Sequence, residues 1–226
     1  MIKYAEQFSG GRVKALFGGS FNPVHIGHLI TARDILEDFQ FEKIIFVPAF
    51  VQPLKETLLI PPEIRLQILK ASIESEHYFD IWDYEIKKGG ISYTFQTLET
   101  YKKLHKEKPA FIMGSDSFHS FHKWKEPEKI LQLSQIIIVQ RPGHEITIKE
   151  ILQKVSCTTV AKVQKGNLNK TARQAEIILY EGRKLEISST EIRQRLKEGK
   201  SIKYMVTEKA EKILRRWWEN ALQQNV

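Results

Sequence analysis

Short runs of apolar, mostly β-branched residues recur along the 226-residue chain, separated by stretches in which apolar positions return every three or four residues. Arg12 to Phe17, Lys43 to Val47, Phe79 to Trp82, Ala110 to Met113 and Gln135 to Val139 predict strands. Their near-continuous apolar character is that of parallel strands covered on both faces. Leu29 to Phe39, Glu63 to Ser75, Phe95 to His105 and Pro127 to Leu133 predict helices; in the second, Ile64, Ile68, Leu69 and Ala71 share a face and Pro61-Pro62 marks the start. After Arg141-Pro142-Gly143 the alternation continues with a helix near Ile148 to Val155, strands near Val160 and at Ile177 to Tyr180, and two final helices. Gln164 to Gln174 is polar and basic, an exposed loop. This order predicts an α/β fold with a doubly wound, Rossmann-like, mostly parallel sheet, helices on both faces and right-handed crossovers. In the last helix Ala210, Ile213, Leu214, Trp217, Trp218, Ala221 and Leu222 make one apolar stripe, expected to dock on the core, with a subunit contact or a membrane-surface helix as the alternatives. No repeat or linker divides the chain, so residues 1–226 are expected to form a single domain, with a C-terminal helical part over roughly 188–226.

Composition narrows the setting. With 42% hydrophobic and 27% charged residues the chain can bury a core without staples. Cys157 is the only cysteine, which excludes an intramolecular disulfide and a Cys-based zinc site and reads as a small buried apolar residue. Met1 to Ser20 has no apolar run of the length a secretory leader needs, and no stretch of about 18 apolar residues suggests a membrane span, so the expected location is cytoplasmic. The net charge is +8, and it is uneven: 19 basic and 19 acidic residues lie at or before Glu150, against 16 and 8 from Ile151 onward. A basic C-terminal third fits nucleic acid, an anionic membrane surface or a polyphosphate ligand. Its cations are interleaved with glutamates and apolar residues at helical spacing, without an aromatic-basic stacking motif, which argues against nucleic acid.

Two motifs carry chemistry. Gly18-Gly19-Ser20-Phe21-Asn22-Pro23-Val24-His25-Ile26-Gly27-His28 lies between the first predicted strand and the first predicted helix. A Gly-rich turn at the carboxyl end of a parallel strand lets bare backbone approach phosphate while the next helix offers its N-terminus. His25 and His28, three apart, fall on one side of a helix beginning nearby, and Gly27 leaves room for a flat base or phosphate. No carboxylate or third histidine is close in sequence, which argues against protein-bound zinc. The second motif, Ile187-Ser188-Ser189-Thr190-Glu191-Ile192-Arg193, reads as a strand end, a hydroxyl-rich cap and a helix with Arg193 about one turn inside. Its hydroxyls, N–H groups and guanidinium suit a triphosphate.

Together these motifs resemble the nucleotidyltransferase superfamily, and specifically the bacterial nicotinate-nucleotide adenylyltransferases. The likeness continues through Arg65 and Ala71, Asp83 and Glu85, Ser92-Tyr93-Thr94 with Thr97-Leu98, Gly114-Ser115-Asp116-Ser117, Trp124, Arg141, Gly199-Lys200-Ser201-Ile202 and Tyr204, from about Val13 to Trp217. The resemblance implies transfer of the adenylyl group of ATP to nicotinate mononucleotide, releasing pyrophosphate and forming deamido-NAD. It implies that His25 and His28 contact the ATP phosphates, His28 stabilising the transition state, with backbone from Gly18, Gly19, Ser20 and Phe21. Ser189 and Arg193 would hold the β- and γ-phosphates, Asp116 the ribose or adenosine hydroxyls, and Gly114, Ile187 and Ser188 would also line the ATP site. Ser20, Lys55, Tyr93, Thr94 and Trp124 would hold nicotinate mononucleotide. Mg²⁺ would arrive on ATP with few or no protein ligands. A homo-oligomer is compatible with the sequence.

The likeness is incomplete. Asn22 stands where the family often has Asp, and the loop after the second strand reads Pro48-Ala49-Phe50-Val51-Gln52-Pro53-Leu54-Lys55, with Leu54 in place of a histidine and Phe50 at a polar substrate-contacting position. Sibling transferases that use phosphopantetheine or nicotinamide mononucleotide, or CTP as donor, share the first motif. The long middle region with Ser92-Tyr93-Thr94 and Trp124 argues against the smaller phosphopantetheine enzymes. His25-Ile26-Gly27-His28 is also similar to class I aminoacyl-tRNA synthetases, but the chain leaves no room for an anticodon module and has no K-M-S-K-S stretch.

Overall fold

Strands β1 (Ala15–Gly19), β2 (Ile44–Pro48), β3 (Phe79–Ile81), β4 (Ala110–Gly114), β5 (Gln135–Val139), β6 (Val160–Gln164) and β7 (Ile177–Glu181) form one sheet in the order β3-β2-β1-β4-β5-β7-β6. Every pairing is parallel. This computed structural model describes residues 13–53, 60–155, 159–169 and 174–223. Arg12, Leu54, Lys55, Cys157 and residues 170–173 of the polar loop, all singled out in the sequence, lie outside them.

The strands alternate their side chains between two apolar layers, so both faces must be covered. Phe17, Phe46, Ile112, Ile137 and Ile178 enter one layer, with Ile35 of helix α1 (Ile26–Phe39), Ile68 of α2 (Pro62–Ile73) and Leu214 of the last helix. Leu16, Ile45, Phe111, Ile136 and Ile138 enter the other. There they meet Leu98 of α4 (Thr94–His105), Ile130 of α6 (Pro127–Leu133) and Ile151 of α7 (Ile148–Lys154). The last two helices are α8 (Ser189–Lys197) and α9 (Glu208–Gln223). In α9, Ala210, Leu214 and Trp218 are buried, and the helix docks on α2, as the apolar stripe predicts. Among the described residues no helix is long and apolar enough to cross a membrane.

The sequence-predicted elements stand where expected, with shifted ends. β1 runs on through Gly18 and Gly19, which pair with Val47 and Pro48. α1 begins at Ile26 rather than Leu29, so His28 lies inside it. Three short elements have no counterpart in the sequence reading: α3 (Tyr84–Lys88), α5 (Ser115–Phe118) and a 3₁₀ turn at Phe121–Lys123. One turn of helix is too short to show a period.

Candidate active site

The chain winds outward from β1 through β2 to β3 in one direction and from β4 to β5 in the other, leaving a crevice beyond the carboxyl ends of the adjacent β1 and β4. Open α/β sheets bind ligands at such a reversal. Two cavities lie there, of about 860 Å³ and about 490 Å³. Gly18, Gly19, Gln52, Asp116 and Ser117 line both, so the two spaces meet over the ends of the two central strands.

The larger cavity is polar and holds the first motif. His28 sits at the third position of α1, and its Nδ1 accepts the His25 backbone N–H at 3.3 Å. This assigns the proton of a neutral His28 to Nε2, leaving that nitrogen a donor. His28 lines the large cavity, whereas His25 lies behind it, with ring centroids 3.8 Å apart, and lines a small adjoining space of about 40 Å³. Burial, with help from the nearby Arg141 charge, holds the His25 imidazole down at about 3, so it is neutral near pH 7. The glycines do more than admit a ligand. A Cβ on Gly18 would stand 2.5 Å from the Phe111 ring, and one on Gly27 would stand 3.0 Å from His25 Nδ1. Gly27 therefore makes room for the His25 ring itself, where the sequence suggested room for a base or phosphate.

The second motif packs against the first and lines the same cavity. Ser188 caps α8, its Oγ accepting the Glu191 N–H at 3.1 Å. Ser189 Oγ donates to the Pro23 carbonyl at 2.8 Å, and Arg193 Nη1 donates to the Asn22 carbonyl at 2.7 Å. Both side chains thus tie the start of α8 to the turn after β1. Asn22 has a structural role of its own, its Oδ1 accepting the Ile60 N–H at 3.2 Å. At the end of β4, Asp116 pairs with Arg141 at 3.8 Å while its Oδ1 is buried without a hydrogen-bond partner among the described residues.

The smaller cavity is walled by Tyr93, Thr94, Phe111 and Trp124, with Lys125 Nζ 4.8 Å from the Tyr93 ring centroid. Glu85 also lines it; Thr97 Oγ1 donates to its carboxylate at 2.5 Å, and burial raises the affinity of Glu85 for its proton. Arg65 organises the space between the cavities. Fully buried, it donates from Nε to the Ile60 carbonyl at 3.1 Å, from Nη1 to Ser20 at 2.6 Å and from Nη2 to Phe50 at 2.9 Å. Burial lowers its basicity to about 10, which leaves it charged at neutral pH.

The structure thus brings Gly18, Gly19, Ser20, Phe21, His28, Gly114, Asp116, Ile187, Ser188, Ser189 and Arg193 around the larger cavity, and Tyr93, Thr94 and Trp124 around the smaller. Ser20 lines the larger one. Lys55 lies outside the described residues. Sequence reasoning missed the clamp made by Arg65, although it noted the residue, and gave no role to Gln52 or Lys125. Alternating hydrophobicity carries no signal for a side chain whose partners are backbone carbonyls.

Comparison with known proteins identifies the family. The cytidylyltransferase-like family matches residues 16–195. An Aquifex aeolicus (strain VF5) protein named "Probable nicotinate-nucleotide adenylyltransferase" is 43% identical over 180 residues, 79% of this chain and 100% of its own length. A protein of the same name from Caldicellulosiruptor bescii is 40% identical over 202 residues, covering 89% of this chain and 95% of its own. The structure of Plasmodium falciparum nicotinic acid mononucleotide adenylyltransferase complexed with NaAD has a TM-score of 0.69 at 20% identity, over 92% of this chain and 98% of that one, which shows a shared fold. With relatives this similar along their whole length, the chain belongs to the cytidylyltransferase-like family and, within it, to the nicotinate-nucleotide adenylyltransferases.

Proposed function

We propose that this protein transfers the adenylyl group of ATP to nicotinate mononucleotide, releasing pyrophosphate. The observation that carries the reading is the pair of cavities meeting at the ends of β1 and β4: one polar and walled by a phosphate-binding turn and the start of α8, the other aromatic. ATP takes the larger cavity, its triphosphate between His28 and Arg193 and its ribose near Asp116. The mononucleotide takes the smaller, its ring against Trp124 and Tyr93. The cation of Lys125 beside that wall suits a ring bearing a carboxylate.

The phosphate monoester is mostly ionised at neutral pH, with a second pKa of about 6, and needs no general base. One of its oxygens bonds to the α-phosphorus of ATP, and the bond from that phosphorus to the bridging oxygen breaks, its electron pair leaving with pyrophosphate. Holding the two anions in line supplies much of the acceleration, and donors aimed at the developing charge supply the rest. His28 Nε2–H donates to the transferring phosphoryl group, and Arg193 neutralises charge on the departing pyrophosphate. Among the described residues no group of three or more His, Cys, Asp or Glu side chains forms a metal cage. The site fits Mg²⁺ delivered on the triphosphate with phosphate and water ligands, with Asp116 and Glu186 the carboxylates lining that cavity. When bound it would neutralise phosphate charge. The expected setting is cytoplasmic.

A pyrophosphate-release assay with ATP and Mg²⁺ tests the reading, comparing nicotinate mononucleotide, nicotinamide mononucleotide and phosphopantetheine. Turnover is expected to be fastest with the first. No turnover with it, where another acceptor reacts, rejects the assignment.

A further inference from the structure

Phe21 stands in a conformation that its residue type rarely takes. In the turn after β1 its φ is 45°, in the left-handed region, which disfavours a bulky side chain unless the surroundings hold it there. The surroundings do. Phe21 is 2% exposed, and its ring packs against Phe17 at a centroid distance of 5.7 Å and against Phe46 at 5.5 Å, within the apolar layer that also holds Ile35 of α1. The far end of the ring lies against Gly19, where a Cβ would stand 3.0 Å from Phe21 Cζ. The same ring meets the imidazole of His28 at 5.2 Å, with the two planes at 73°.

These contacts bear on where His28 points. Its Nδ1 accepts the His25 N–H at 3.3 Å, a long bond that fixes one atom of the imidazole and leaves the ring free to tilt about it. The tilt decides the direction of Nε2. Aromatic rings close on the imidazole and remove that freedom: His25 at 3.8 Å, Phe21 at 5.2 Å and Phe17 at 6.1 Å. His25 caps α1 and Phe17 belongs to β1, whereas Phe21 joins the turn that lines the larger cavity to the packing of His28. A donor to a reacting group must be held within roughly 0.5 Å and 10–20° of its productive geometry, by neighbours whose own rotamers are locked by packing.

We infer that Phe21 is a positioning residue, its ring holding the His28 imidazole at the angle that directs Nε2–H into the larger cavity. The inference rests on His28 being the donor in the proposed reaction. Its test is kcat and KM for ATP and nicotinate mononucleotide in wild type, Phe21→Leu, His28→Ala and the double variant. Phe39→Leu is the control, since it removes a buried ring from the same apolar layer at the other end of α1. Misplacing a reacting group by about 1 Å costs about 10²-fold. Phe21→Leu is therefore expected to lower kcat by about 10- to 100-fold with little change in either KM, the mark of an interaction made in the transition state. Added to His28→Ala it should change kcat by less than about twofold, because the group it positions is gone. Phe39→Leu should lower the thermal midpoint and keep kcat. Phe21→Met, whose flexible side chain fills irregular gaps, takes the place of Phe21→Leu if that variant does not fold. A normal kcat in Phe21→Leu, a loss confined to KM, the same loss of kcat in the His28→Ala background, or an equal loss in Phe39→Leu overturns the inference alone. Near-normal turnover by His28→Ala overturns the role of His28 and the inference with it. A wild-type protein that ignores nicotinate mononucleotide while using another acceptor overturns the functional reading.

Discussion

Arg65→Met removes the clamp between the two cavities and leaves the side-chain volume roughly filled. Wild-type Arg65 is wholly buried and makes three hydrogen bonds, to the carbonyls of Ser20, Phe50 and Ile60. Hydrogen bonds to a charged donor contribute about 1.5–3 kcal/mol each, but removing the guanidinium also relieves its own cost of burial. Three orphaned carbonyls at about 1–3 kcal/mol each outweigh that relief, and the net loss is about 3–5 kcal/mol. For a chain of this size each kcal/mol lowers the thermal midpoint by about 2–4 °C, so the variant should unfold about 6–20 °C lower. Arg65→Lys keeps the charge but lacks the planar fork, cannot reach all three carbonyls together, and should fall in between. The assay is thermal and denaturant unfolding, with KM for both substrates measured well below the variant's midpoint. Ser20 lines the larger cavity, and Phe50 lies in the chain between Ala49 and Gln52, which line the smaller, so both KM values should rise several-fold. A midpoint within about 2 °C of wild type, with both KM values unchanged, would refute the clamp.

Three further outcomes are expected. His28→Ala should lower kcat by about 10²–10³-fold, the usual cost of removing one donor to a developing charge, while circular dichroism stays native; near-normal turnover rejects its role. Gly18→Ala drives a methyl into the Phe111 ring, 2.5 Å from its nearest atom, and should cost about 1–3 kcal/mol in unfolding measurements. Adding Phe111→Leu should recover part of that, and strict additivity of the two losses would show that the contact is not the cause. His25, held at about 3 when folded against 6.5 in the unfolded chain, stays unprotonated while the unfolded state takes up a proton. Stability should therefore fall as pH drops from 6.5 toward 3, by up to about 4–5 kcal/mol from this group. His25→Gln should show a shallower decline over that window than wild type; parallel curves would mean that His25 titrates normally in the folded protein.

The fold and the placement of the turn that carries His25 and His28 are legible in the sequence because both depend on local order. β5 and α6 begin and end where their apolar runs do, Gln135–Val139 and Pro127–Leu133. The strand-turn-helix sequence around His25 and His28 fixes which end of the sheet they occupy. What the sequence hides is set by chain segments that meet only on folding. His25 and His28 look equivalent three residues apart, yet burial beside Arg141 and the end of β5 separates a neutral packed ring from a cavity-lining donor. Gly18 reads as room for phosphate, but Phe111, 93 residues further along, is what its missing Cβ would strike. The three carbonyls that hold Arg65 come from residues 20, 50 and 60, and no side-chain pattern announces a backbone acceptor.

The basic C-terminal third shows the same division between composition and placement. Several of its cations are matched by carboxylates: Lys165 and Arg183 by Asp34, Lys162 by Glu181, Lys200 by Glu198, Lys212 by Glu208 and Arg215 by Glu211. Arg193 differs. Among the described residues it has no carboxylate partner, its bonds going to the Asn22 carbonyl and Thr190 Oγ1, and partial burial already disfavours its charged form. Those contacts orient the guanidinium without neutralising it. A partly desolvated cation held over a polar cavity gains most from an anion that enters beside it, since attraction there is less screened than at the open surface. The cation proposed to bear on function is thus Arg193, one placed charge that the overall surplus of eight does not reveal.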